Sequence, residues 1–199
     1  MTLELESERS WLEAARSGDQ AAFGELVNMH QHAVYNLAYR MLGERGEAED
    51  AAQETFLRAF AHLSRYDTGR PFRTWLLSIA SNHCIDRLRK RRLTWLSLEE
   101  PLPPHPALNS HEAEPEDALI SSERGALIQE MLAELPPDYR AAVVLRYWYD
   151  MSYTEIADVL ETTESAVKSR LFRARQTLAE KMTSEKGNAS LHFALEGAR

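Results

Sequence analysis

The chain has 199 residues, 44% hydrophobic and 27% charged, the composition of a packed globular protein and not of a disordered or collagen-like one. Its single cysteine, Cys84, excludes an intramolecular disulfide or a cysteine-based zinc site, and no run approaches the roughly 18 apolar residues of a membrane span. The net charge of −8 argues against a general nucleic-acid coat, yet residues 71–98 carry six basic and one acidic residue, 164–199 carry seven and four, and 99–163 between them carry three and fourteen. Two basic patches in an acidic chain suit contact with phosphate at two separated places by a protein that binds DNA weakly alone, although two solvated helix faces would give the same counts.

The apolar periodicity is helical almost throughout, which predicts an all-α fold. A short helix is expected over about Ser10–Ser17, then a long one capped by Asp19 and stopped near Gly43, with Phe23, Leu26, Val34, Leu37, Ala38 and Met41 among its apolar residues. A third runs from about Glu47 to Leu63, with Ala48, Ala52, Phe56 and Phe60 repeating every fourth position and Glu47, Glu49 and Asp50 at the positive end of its dipole. Gly69 breaks the chain, Pro71 suits the first turn of a fourth helix, and that helix ends in Arg87, Arg89, Lys90, Arg91 and Arg92.

From Leu93 to Asp117 the pattern fails: five of the eight prolines fall here, and the stretch reads as an acidic interdomain linker. Beyond it, helices are expected over Ala118–Leu135 and from Pro136-Pro137 to about Tyr149. Ser152-Tyr153-Thr154-Glu155 then matches a capping box, so a short helix starts at Tyr153, passes the turn Glu161-Thr162-Thr163 and leads to a last helix with Val167, Leu171, Ala174 and Leu178 on one face. This is a helix-turn-helix signature. The expected architecture is two small helical domains, 8–93 and 118–182, joined by a flexible linker over 94–117, with a tail of unassigned role over 183–199.

With that face in the core, Ser165, Lys168, Ser169, Phe172 and Arg173 project outward near the start of the last helix, where recognition helices read DNA. Lys168 and Arg173 suit phosphates or guanine edges, the serines suit base or phosphate, and Phe172 suits thymine methyls or sugar. A solvated basic helix side is the bland alternative.

The run Ser152-Tyr153, Glu155-Ile156-Ala157 and Val167-Lys168-Ser169-Arg170-Leu171-Phe172-Arg173-Ala174-Arg175 strongly resembles the promoter-recognition domain of extracytoplasmic-function (ECF) sigma factors. Glu49-Asp50-Ala51-Ala52-Gln53-Glu54-Thr55-Phe56 and Phe72-Arg73-Thr74-Trp75-Leu76, with Ile79-Ala80, Asn82 and Asp86-Arg87, resemble that family's other domain, in the expected order. The resemblance spans about residues 8–182. It implies an alternative sigma factor whose face of Asp50, Gln53, Glu54 and Arg58 docks on core RNA polymerase. Loop 64–70 with Asn82, Asp86, Arg87, Arg89 and Lys90 would take the −10 promoter element, where a base must leave the stack to be read. The last helix would take the −35 element, and an anti-sigma factor is an expected partner. Trp75 resembles a position important for melting, while its neighbours Phe72 and Ile79 suit core packing equally well.

One departure from the family pattern and one charge stand out. The family turn commonly has Gly where this chain has Glu161, which implies either a non-glycine residue at a left-handed position or a different turn. Asp86 is a carboxylate at a DNA-facing position, suited to accept from a cytosine amino group or to pair with Arg89 or Lys90.

Enzymatic readings find no support. His30 and His32 point apart, His83 and Cys84 lack ligand spacing, there is no Gly-rich phosphate loop, and neither catalytic residues, metal nor cofactor is expected. A cytoplasmic location without membrane insertion is expected, because Glu4, Glu6 and Glu8 stand where a signal peptide would be basic. The other class of reading is a helix-turn-helix regulator with an N-terminal helical sensing or dimerisation domain. The acidic linker beside Arg87–Arg92 further predicts a free chain held closed, with Glu112, Glu114, Glu116 and Asp117 competing with phosphate and a partner protein occluding more strongly than the linker.

Overall fold

The computed structural model describes residues 2–97 and 116–184, and every regular element among them is helical. The helices are α1 (Thr2–Arg16), α2 (Gln20–Leu42), α3 (Arg45–His62), α4 (Phe72–Ser97), α5 (Glu116–Ala133), α6 (Pro137–Trp148), α7 (Tyr153–Val159) and α8 (Glu164–Ser184), with a 3-10 turn over Leu63–Arg65. Most of the proline-rich stretch and of the tail, residues 98–115 and 185–199, lies outside the described residues.

The first bundle is α1–α4. Asp19 caps α2 as expected, accepting from the N–H groups of Ala21 and Ala22 at 2.8 and 3.1 Å. Gly43 closes the helix at φ +82, a left-handed conformation open to glycine without a Cβ penalty, and its N–H donates to the Tyr39 carbonyl at 2.8 Å. Leu26, Val34, Leu37, Ala38 and Met41 are fully buried, each large side chain contributing about 2 kcal/mol of transfer free energy.

Three expectations shift. Helix α1 starts at Thr2, not Ser10: its N-terminal turns have no apolar repeat to announce them, and the described part is tied down where Glu8 meets buried His30 on α2 at 2.8 Å. Helix α3 starts at Arg45 because Glu44 caps it, accepting from Gly46 and Glu47 N–H at 2.9 and 2.7 Å. Its buried stripe is Ala48, Ala51, Ala52, Thr55 and Ala59, while Phe56 is only partly buried and Phe60 is exposed beside Phe23. Small residues fill the seam because α3 lies between α2 and α4, where backbones approach closely.

Helix α4 runs through Ser97, four residues into the segment read as linker; Thr94-Trp95-Leu96-Ser97 contains no proline, and the first one is Pro101. Its first half buries Phe72, Leu76, Leu77, Ala80, Cys84 and Ile85.

The second bundle is α5–α8, with Leu132, Leu135, Ala141–Leu145, Ile156, Val159, Val167, Leu171 and Ala174 buried. The two bundles touch along α6 and α7, which lie on α2 and α4. Arg140 of α6, 8% exposed, donates to the Met41 carbonyl at the end of α2 and to the Ala133 and Leu135 carbonyls at the end of α5. One guanidinium thus serves the unpaired carbonyls of two helix ends. Tyr149 donates its hydroxyl to the Ala33 carbonyl, Arg40 lies 4.9 Å from the Trp148 ring centre, and Arg73 lies 5.5 Å from that of Tyr149. Burial pushes the Tyr149 phenol up to about 12, so it stays protonated and a donor at neutral pH.

Candidate nucleic-acid interface

The helix-turn-helix is built from local signals. Ser152 and Glu155 form the capping box: the Ser152 N–H donates to the Glu155 carboxylate at 2.8 Å and its hydroxyl at 2.7 Å, and the Glu155 N–H donates to the Ser152 hydroxyl at 3.2 Å. These bonds hold the Glu155 carboxyl below its ordinary value. Glu161 stands at φ +48, so the non-glycine residue does occupy the left-handed position, and the following N–H, of Thr162, closes the turn on the Ala157 carbonyl at 2.9 Å. Thr163 then accepts from the Ala166 N–H at 3.2 Å and caps α8. A second left-handed residue, Asp150 at φ +56, ends α6, a bend that nothing in the sequence announces.

On α8, Val167, Leu171 and Ala174 are buried, whereas Ser165, Lys168, Ser169, Phe172 and Arg173 are all exposed, Phe172 by 56%. Among the described residues, this apolar ring displayed between cations is not packed against the core. Glu164, in the first turn, binds the Thr154 hydroxyl and sits 3.4 Å from the Lys168 ammonium, contacts that hold its carboxyl below the ordinary range and fasten α8 to α7. Lys168 also lies 5.8 Å from the Tyr153 ring centre, and Arg173 donates to the Tyr139 hydroxyl at 3.3 Å.

In the first bundle, Asp50, Gln53, Glu54 and Arg58 share one exposed side of α3, with Glu54 and Arg58 paired at 2.6 Å. Leu57 lies on the same side and is 66% exposed, an apolar residue off the Ala48, Ala52, Phe56 and Phe60 repeat. The basic end of α4 is largely engaged. Arg87 lies 3.5 Å from Glu47 and 3.7 Å from Asp50, Arg91 pairs with Glu47, and Arg89 bonds both carboxylate oxygens of Asp138 on α6 at 3.0 Å. Arg89 therefore pairs with Asp138 and not with Asp86, which is exposed. Asn82 is half-buried on the same helix, and Lys90 and Arg92 are exposed.

Loop 64–70 is held from beneath. Tyr66 is buried among Phe72 and Trp75, with ring centres 5.5 and 4.9 Å away, and donates its hydroxyl to the Arg70 carbonyl; the Gly69 N–H donates to Asp67 at 2.9 Å. Trp75 is half-buried and stacks into this cluster, so it supports the loop as well as the core. No grouping of metal-ligating side chains occurs among the described residues. Cys84 is buried with its thiol pushed up to about 12, and burial together with the Arg58 charge lowers the His83 imidazole. No helix among the described residues is long and apolar enough to cross a membrane.

Two helical bundles, one with a polar helix face beside a basic helix and one ending in a helix-turn-helix, define the class of helical transcription factors. The family models for Sigma-70 region 2 and Sigma-70 region 4 match residues 26–94 and 125–178. The chain is 38% identical over 176 residues to the ECF RNA polymerase sigma factor SigW of Bacillus subtilis, covering 86% of this chain and 94% of that one. It is 31% identical to the ECF RNA polymerase sigma-E factor of Escherichia coli, covering 86% and 92%. Among solved structures it is similar to CnrH, determined with the cytosolic domain of CnrY, at a TM-score of 0.65 and 29% identity over 90% of this chain and 99% of that one. It is also similar to the sigma factor RpoE of Bartonella quintana, determined with the anti-sigma factor NepR, at 0.58 and 25% over 81% and 96%. The chain belongs to the ECF sigma factors. It is an alternative sigma factor, a transcription initiation factor for RNA polymerase, and not a regulator with a sensing domain.

Proposed function

We propose that the first bundle, residues 8–93 with the end of α4, docks on core RNA polymerase and takes the −10 element, and that residues 118–182 take the −35 element, with the segment between α4 and α5 as the linker that spaces them. Docking uses the α3 face of Asp50, Gln53, Glu54 and Arg58, extended by Leu57, whose exposed apolar surface gives that face a candidate central anchor. The −10 element meets Asn82, Asp86, Arg87, Arg89 and Lys90, with Asn82 offering an amide to a base edge and the cations exchanging carboxylate for phosphate. The −35 element meets Ser165, Lys168, Ser169, Phe172 and Arg173.

The observation that carries this reading is the division of α8: Val167, Leu171 and Ala174 are buried and Leu178 partly so, while five polar, basic and aromatic side chains stand outside at the end presented by the α7 turn. The protein acts by positioning polymerase and holding melted DNA, without covalent chemistry of its own, in the cytoplasm where polymerase and promoters are. An anti-sigma factor is a partner by likeness to the RpoE of the NepR complex. The test is a set of run-off reactions with core polymerase on a responsive promoter. Arg173→Ala and Lys168→Ala should lower transcription most when the −35 element is intact and little when it is scrambled; equal losses on both templates would remove these residues from −35 recognition.

A further inference from the structure

We propose that Asp138 is an internal competitor for promoter phosphate, which holds the free chain closed by occupying Arg89. The carboxylate lies in the first turn of α6, where the helix dipole favours an anion, and Arg170 of α8 flanks it at 3.8 Å. From that seat it takes both bonds from one Arg89 nitrogen across the boundary between the bundles, as a phosphate oxygen pair would. Arg170 has a further buried nitrogen without a hydrogen-bond partner, so one carboxylate answers two guanidiniums, one from the basic end of α4 and one from the recognition helix.

Arg140 on the Met41 carbonyl, Tyr149 on the Ala33 carbonyl and two cation–ring contacts lie along the same boundary, so the Arg89–Asp138 pair is one polar restraint among several. A duplex that claims Arg89 removes the Asp138 contact and with it one restraint on separation. The inhibitory acid is thus placed in the second bundle, while Arg87 and Arg91 are engaged within the first by Glu47 and Asp50. The proposal goes beyond the −10 assignment of Arg89, because closure is read without DNA.

Dyes on Ala61→Cys and Gln176→Cys, both exposed positions, report the distance between the bundles by energy transfer in the full chain, since Cys84 is buried. Into that background go Asp138→Asn, Arg89→Gln and the two together. A partly exposed pair of this kind is worth roughly a two- to five-fold change in the closed-to-open ratio at low salt. Each single variant should lower transfer by that change, and the double variant no further than either single. Additive losses, or no loss in Asp138→Asn, overturn the proposal. In parallel, Asp138→Asn should bind a plain duplex about two- to five-fold more tightly at low salt, against a smaller change for Asp158→Asn, which removes the same charge from an exposed site. An equal gain in both variants would reduce the effect to net charge and overturn it as well.

Discussion

The guanidinium of Arg140 donates to the carbonyl oxygen of Met41, 99 residues earlier in the chain, and so joins the end of α2 to the start of α6 in the second bundle. Because Arg140 also serves Ala133 and Leu135, its loss leaves carbonyls of two helix ends without a donor inside the protein. Arg140→Met should therefore destabilise the chain by about 2–3 kcal/mol, the cost of orphaned buried acceptors. Urea denaturation of the two chains side by side measures it, and an unchanged midpoint would mean that water serves these carbonyls equally well.

The turn before α8 carries measurable strain. A non-glycine residue in the left-handed region costs about 1–2 kcal/mol, part of which glycine would give back as unfolded-state entropy. Glu161→Gly should thus raise stability by about 0.5–1 kcal/mol and raise the melting temperature, with the fold of α7 and α8 unchanged in its amide spectrum. A fall in melting temperature would show that the Glu161 side chain stabilises the turn.

Loss of the capping hydroxyl has a pH signature. The Glu155 carboxyl is held below 4.5 by its bonds to Ser152, so this contribution is full above the ordinary carboxyl range and disappears as pH falls through the lowered folded value. Ser152→Ala should cost about 1 kcal/mol near neutral pH, and the gap from the parent chain should narrow below about pH 4.5. Denaturation at pH 7 and pH 3 decides; a gap that widens on acidification contradicts the assignment.

How legible this was depends on the range of the interaction. Asp19, Gly43 and the Ser152–Glu155 pair act within one turn of themselves, so residue type and spacing sufficed. The outward face of α8 followed from the same local periodicity. Glu44 is not legible as a cap because glutamate seldom fills that position, and the exposure of Phe60 is not legible because residue type does not reveal that α3 meets its neighbours through alanines. Asp138, Arg140, Arg170 and Tyr149 read as ordinary residues of amphipathic helices; only the packing of α6 on α2 and α4 gives them partners. Leu57 could have been found by asking which apolar residue interrupts the polar face Asp50, Gln53, Glu54 and Arg58.

That exposed leucine leads to a sharper docking prediction. Leu57→Ala should weaken binding to core polymerase by about 2 kcal/mol if it is a central anchor, while Gln53→Ala costs about 1 kcal/mol or less. Neither touches the buried stripe of α3, so helicity should be retained. Titration of labelled core polymerase measures both affinities, and no loss in either would mark the face as solvated surface.

The Cys84 thiol provides an internal reporter of stability. With burial pushing it up to about 12, it is protonated and inaccessible at neutral pH, and should react with a thiol reagent only as the first bundle opens. The reaction rate should rise with urea in step with loss of helicity; rapid stoichiometric labelling of the folded chain would contradict the packing of α4.

The central claim is that this chain directs polymerase to promoters through two separate faces. Its most direct test is to mix core polymerase with the chain and a library of promoter-length duplexes and to map the 5′ ends of the transcripts. The account predicts starts downstream of one shared two-part sequence, with Arg173→Ala relaxing or losing only the upstream part. Starts no more selective than those of core polymerase alone, or an upstream preference unaltered in Arg173→Ala and Lys168→Ala alike, would contradict it.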